Sequence, residues 1–304
     1  MKMGTILVKS ATFLLIVALG YGLKCKGFFK KEDKDLLSKI VSRITLPCMI
    51  LTSVQNLYFD LIPLMMMAAC IVLNIALLLF CRILFRSHTP IERGSAMIAM
   101  SGFNVANVTF PFVSTFLSPL CMSYAVMFDI GNSLGWLGLG VSWANQEATG
   151  SGRFSLKALL GFLMKSIPFL TYLFIILMGI FGLHLPKEVL TITGTIGNAN
   201  TFLVMLMIGI MLELNISKNQ RKDVMTIVGI RTAISVMLIA LVLLLPLPHT
   251  AKQALCMCLV PAIPSIATVF SKELGDDSSL PAVLNSISLV LGIVFSALVL
   301  MIIA

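Results

Sequence analysis

Ten apolar runs divide the chain, each about 20 residues long, the length a helix needs to cross a bilayer. They cover roughly 4–23, 36–55, 61–85, 95–117, 121–144, 156–183, 190–214, 224–246, 252–272 and 280–303. Polar residues are confined to short breaks between them, and Pro63, Pro119, Pro186 and Pro248 fall at or near those breaks. The pattern predicts an all-α integral membrane protein of ten helices. Lys and Arg mark one side. The loops after the odd-numbered runs carry Lys24, Lys26, Lys30, Lys31, Lys34, Arg82, Arg86, Arg93, Arg153, Lys157, Lys218, Arg221, Lys222 and Lys272. Those after the even-numbered runs carry only Lys187 and Lys252. Basic loops stay in the cytoplasm, so both termini are expected outside the cell membrane.

One run departs from the apolar pattern. Ser101-Gly-Phe-Asn-Val-Ala-Asn-Val-Thr-Phe-Pro-Phe-Val113 holds two amides, a threonine, a glycine and a proline inside the fourth run. Asn104, Asn107 and Pro111 are spaced to share one helix face. A proline removes a backbone hydrogen bond, and irregular backbone at membrane depth survives only when buried in protein or lining a wet cavity. The expectation is a broken helix beside a substrate path; a proline-kinked structural helix is the plainer alternative. Ten runs with a basic loop near residue 150 suggest two halves, 1–150 and 151–304. Five spans per half make the second half inverted relative to the first. The ninth run then corresponds to the fourth, and it too is interrupted, by Pro261 and Pro264.

Composition adds little to this and removes much. The chain has 304 residues, 58% hydrophobic and 12% charged, with a mean hydropathy of +1.02. Soluble proteins carry roughly 25% charged residues. The net charge of +9 sits in short loops, as topology signals rather than a nucleic-acid face. Seven cysteines fall mostly in apolar runs and read as small core residues. His88, His184 and His249 lie at loop edges and form no metal cluster. The sequence holds no phosphate-cradling G-x-x-x-x-G-K-[ST] loop, H-E-x-x-H or G-x-S-x-G, so neither an ATP-driven pump nor an enzyme is indicated, and no cofactor or metal is expected.

The motifs resemble the auxin efflux carrier family of membrane transporters, which includes the plant PIN-type carriers and many bacterial permeases. Gly20-Tyr-Gly-Leu-Lys with Gly27-Phe-Phe looks like the end of its first helix, and Thr45-Leu-Pro-Cys-Met-Ile-Leu-Thr-Ser53 like its second. Asn104 with Pro111 fits the fourth helix and Ile208-Gly-Ile-Met-Leu212 the seventh. Pro261 through Val269-Phe-Ser-Lys-Glu-Leu274 resembles the ninth helix and its following turn. The resemblance implies two inverted five-helix repeats with helices four and nine crossing near the midplane. It implies carriage of small organic anions by elevator-like alternating access. The ninth helix here has no amide, only Ser265 and Thr268, and the long central loop of many plant carriers is absent. Both features favour a compact bacterial-type permease.

Candidate chemistry follows. Half-helix N-termini left by the two breaks offer free N–H groups and positive dipole ends to an anion, placing a substrate site at Asn104, Asn107, Pro111, Pro261, Pro264 and Ser265. Asp129, inside the fifth run, is costly at membrane depth; with Asn132 on the same face it is a proton or cation coupling site, or else a helix-bonding pair beside the close-packing Gly131 and Gly135. Glu213 and Arg231 are expected to pair with each other. Asn198, Asn200 and Thr201 are expected to bond a neighbouring helix. The expected partners are a small organic anion such as a mono- or dicarboxylate, the lipid bilayer, a coupling proton or sodium ion, and a second copy of the chain in a homodimer; nucleic acid is not among them. A sodium-coupled symporter of the bile-acid type and a transporter-like receptor are the alternatives. Single cysteines placed at Ser151 and Asn219 should label only from the cytoplasmic side; labelling at either from outside intact cells would overturn the orientation.

Overall fold

The computed structural model describes residues 3–54, 61–150, 155–214 and 220–303. Arg153, Lys218 and the labelling positions Ser151 and Asn219 lie outside the described residues. The described residues are helical without strands. In order they form α1 (Met3–Cys25), α2 (Asp33–Ser53), α3 (Leu61–Leu84), α4a (Pro90–Ser101), α4b (105–116), α5 (119–149), α6a (Leu156–Leu163), α6b (Ile167–Ile180), α7 (Lys187–Met211), α8 (Arg221–Leu244), α9a (His249–Cys258), α9b (Ala267–Glu273) and α10 (Leu280–Ile303). Among them, seven spans are long and apolar enough to cross a membrane: α1, α2, α3, the whole of 90–116, α7, α8 and α10.

Helix starts follow the local sequence. Thr89 and Glu92 close a reciprocal capping box at α4a, satisfying two of the orphan amides at that end. Ser118 caps Cys121 and Ser166 caps Phe169, each just before a proline in the first turn. Ser133–Gly140 widens α5 into a π-turn without ending it.

Burial sorts the spans. The apolar stretch of 90–116 is 89% buried, against 28% for α1 and α8. The small and polar residues of α4 and α5 are therefore tolerated because protein, not lipid, surrounds them. From Cys121 to Asn132 every residue of α5 is buried. The outer helices show the reverse, with Leu15, Val72, Ile83 and Met237 exposed where an apolar solvent would meet them.

Glycines let two pairs of helix backbones meet. In the α1–α7 contact a Cβ at Gly209 would strike the Val17 carbonyl and come within 2.8 Å of the Tyr21 amide, while one at Gly20 would strike the Leu206 carbonyl. Such close approach is how membrane helices associate without a hydrophobic drive. On the other side, Gly131 and Gly135 set α5 against Met67, Cys70 and Asn74 of α3, the packing role expected of them. Gly209→Leu should cost about 1–3 kcal/mol by overpacking. Gly229→Leu, in α8 with nothing within 4 Å of the added atom, should cost almost nothing. Thermal midpoints of the two purified variants check the contrast.

Candidate functional site

The fourth span breaks at Gly102–Asn104, between α4a and α4b, and not at Pro111. Pro111 lies inside α4b, just after the π-turn Val105–Thr109, and the helix runs on through it. Gly102 stands in the break itself, with extended backbone. A Cβ there would approach Pro264 and Trp136 to 2.7 Å, so only glycine lets the α9 break and Trp136 come this close. The ninth span is open from Leu259 to Ile266, between α9a and α9b.

The two openings are tied to each other. Asn104 donates its backbone N–H to the Ala262 carbonyl at 3.2 Å, and its amide to the Ile263 carbonyl at 2.7 Å and to Ser265 Oγ at 3.2 Å. Asn107 reaches Ser265 Oγ at 3.4 Å, and Thr109 donates to the Met257 carbonyl at 2.9 Å. Ser288 of α10 accepts the Ile263 N–H at 3.0 Å. The ninth span thus needs no amide of its own, because the fourth supplies one.

Side chains from other helices take the remaining carbonyls at the end of α4a. Trp136 Nε1 donates to Ile98 at 2.9 Å and Asn74 to Ser101 at 2.6 Å. Asn132 clips both backbone groups of Phe103, accepting its N–H at 3.1 Å and donating to its carbonyl at 2.8 Å. Arg231 supplies the rest. Its guanidinium donates to Ala99 (3.4 Å), Met100 (2.6 Å) and Gly102 of the fourth span, and to Pro261 (3.0 Å) and Ala262 (2.9 Å) of the ninth. Its Cζ lies 5.6 Å from the centre of the Phe103 ring. The expected Arg231–Glu213 pair is therefore absent. Arg231 is near the middle of α8, 4% exposed, whereas Glu213 follows the end of α7 and pairs with Lys31. Carbonyls freed by two helix breaks offer a buried guanidinium what a distant carboxylate does not.

Against the crossing lies a cavity of about 300 Å³. Asn104, Asn107, Pro264 and Ser265 line it from the broken spans, with Asp129 and Asn132 from α5. Pro111 and Pro261 do not reach it: Pro111 is buried in α4b, and the Pro261 carbonyl faces Arg231. Tyr172 of α6b, Ser38 and Ser42 of α2 and Met207 of α7 complete its walls, and no Lys, Arg or His is among them. Asp129, 9% exposed, accepts a hydrogen bond from Tyr172 Oη at 2.8 Å and a longer one, 3.4 Å, from Asn132. Asp129 and Asn132 are thus neighbours with different duties, the amide being committed to Phe103. First-turn N–H groups of α4b, at Val105, Ala106 and Asn107, face no earlier helical turn, and those residues line the cavity.

Sequence reasoning missed Asn74, Tyr172, Trp136 and the part played by Arg231. Asn74 alone carried a signal, a lone amide within the apolar α3. Of the α7 polar group, Asn200 does bond a neighbour, accepting from Thr45 at 2.8 Å. Asn198 and Thr201 instead line a separate crevice of about 250 Å³ with Thr52, Ser53 and Thr115. Among the described residues no group of three His, Cys, Asp or Glu is placed to hold a metal ion.

Residues 5–149 match the family described as Membrane transport protein. An uncharacterized transporter of Methanothermobacter thermautotrophicus is 25% identical over 236 residues, covering 75% of this chain and 74% of that protein.

Proposed function

We propose that the chain is a multi-pass membrane transporter, a secondary carrier of small organic anions such as mono- or dicarboxylates, a reading supported by the match of residues 5–149 to the family described as Membrane transport protein. The observation that carries this is the cavity at the crossing. It offers the first-turn N–H groups of α4b, the Asn107 amide and the Ser265 hydroxyl, with no basic side chain. A helix N-terminus binds an anion through N–H groups and its positive dipole end, and neutral donors release a ligand more readily than a fixed charge.

Two inverted repeats, 1–150 and 151–304, underlie the reading, supported by openings at corresponding places in the fourth and ninth spans. We take the crossing as the moving unit of an elevator-like alternation, working against the tightly packed α1, α2 and α7. The reading takes both termini as lying outside the cell, as the basic loops favour, and the carrier as a homodimer.

Asp129 gives the carrier a coupling group. Ionised, it repels a carboxylate in the same cavity; protonated, it does not. No Lys, Arg or His lines the cavity to offset it, and its neighbours there are Tyr172, Asn132 and Ser133. Substrate and proton should therefore travel together, so that uptake rises when the substrate side is acid.

Proteoliposomes offered labelled lactate, succinate, malate and citrate, with and without a pH gradient, test the reading. At least one should accumulate, driven by the gradient. Asn107→Ala should raise its half-saturation about 10- to 100-fold, as expected for one lost hydrogen bond to a charged ligand, with Gln146→Ala as an exposed control. Asp129→Asn should still carry the anion but without response to the gradient. Failure of all four anions, or equal half-saturation in Asn107→Ala and Gln146→Ala, would move the function away from this cavity.

A further inference from the structure

Arg231 carries a full charge in the middle of a membrane helix, 4% exposed, and forms no ion pair among the described residues. What surrounds it is five backbone carbonyls, three from the opening of the fourth span and two from that of the ninth. The fourth-span carbonyls sit at the C-terminal end of α4a, where the helix dipole is negative, and those of the ninth follow α9a in the same sense. Each such end is worth about half a negative charge, so two of them match one guanidinium. Unwound carbonyls and half-helix C-termini meeting in one place are what broken-helix carriers use to hold a mobile cation. Here the place is filled from α8, by a cation attached to the chain.

We propose that Arg231 is a tethered cation, standing where the crossing's carbonyls would otherwise gather a monovalent ion, and that it keeps the two spans unwound and joined without sodium. It is a positioning residue for the anion cavity. Its guanidinium fixes Gly102 and Ala262, whose neighbours Phe103, Asn104 and Ile263 shape the crossing, and its charge faces the Phe103 ring that lines the cavity. Five directed N–H donors suit five carbonyls; an ammonium offers three. The assignment deepens the reading of the crossing as an anion site, since it gives the carrier a structural reason to dispense with sodium there.

The test reads stability and amide exchange, so it does not depend on knowing the substrate. Purified wild type, Arg231→Ala, Arg231→Gln and Arg231→Lys in lipid nanodiscs are compared in sodium, choline and low guanidinium chloride, far below denaturing concentrations. Wild type should show the same thermal midpoint and the same exchange at residues 99–105 and 260–264 in sodium and choline. In choline, Arg231→Ala should exchange about tenfold faster at those residues, with α1 and α7 unchanged. Sodium or guanidinium should reverse this and raise its midpoint in proportion to concentration, as a ligand of the folded state does. Arg231→Lys, which keeps the charge, should stay indifferent to sodium, while Arg231→Gln should respond. A sodium-dependent wild type, an alanine variant indifferent to all three salts, faster exchange spread over the whole molecule, or equal behaviour of the lysine and glutamine variants would each overturn the assignment. Failure of the uptake panel with cation rescue intact would overturn the anion reading and leave the tethered cation standing.

Discussion

Every backbone group that leaves a helix inside a bilayer must find a partner in the protein, because no water is there to take it. Two openings at one crossing raise this demand to the point where it shapes the rest of the molecule. Ile98 through Phe103 present six carbonyls in a row, and each is taken by a side chain from another helix: Trp136, Arg231, Asn74 or Asn132. These donors come from α3, α5 and α8, so those helices must pack at fixed register against the break. The glycines of α5 against α3 and the cap at Thr89 serve that register. The cavity is what remains on the side of the crossing where N–H groups, rather than carbonyls, are left over.

Much of this was legible in the chain. The apolar runs marked the seven long spans, and the two interrupted runs, the fourth and the ninth, are the two that meet. Asn104, Asn107, Pro264, Ser265, Asp129 and Asn132 do line one cavity. The position of the opening was misjudged. Proline was weighted over glycine, although the space at Gly102 is set by Pro264 and Trp136, which lie far away in sequence. Helix periodicity was extended through Asn104, which precedes the helix.

Arg231 illustrates a different limit. A charge in an apolar run invites a search for the opposite charge, and Glu213 was the acidic residue expected at the same end of the neighbouring run. Backbone carbonyls leave no trace in a sequence as potential partners, since every residue has one. Only the breaks, once located, show that unpaired carbonyls are available. Tyr172 was silent for a similar reason: an aromatic residue in a hydrophobic helix looks like core until Asp129 is found 2.8 Å from its hydroxyl.

The same arginine bears on how the chain is made. Ribosomes deliver α8 to the membrane before α9 has been synthesised, so Pro261 and Ala262 are not yet present when Arg231 must enter. A lone arginine at mid-helix costs about 2.5–3.5 kcal/mol to insert. The rest of α8 offsets that cost, since its apolar stretch has a mean hydropathy of 2.5. Carbonyls of the fourth span, already in place, provide a first set of partners. Ala99, Met100 and Gly102 of the fourth span precede α8 in the chain, whereas Pro261 and Ala262 complete the set of carbonyls only once the ninth span is made.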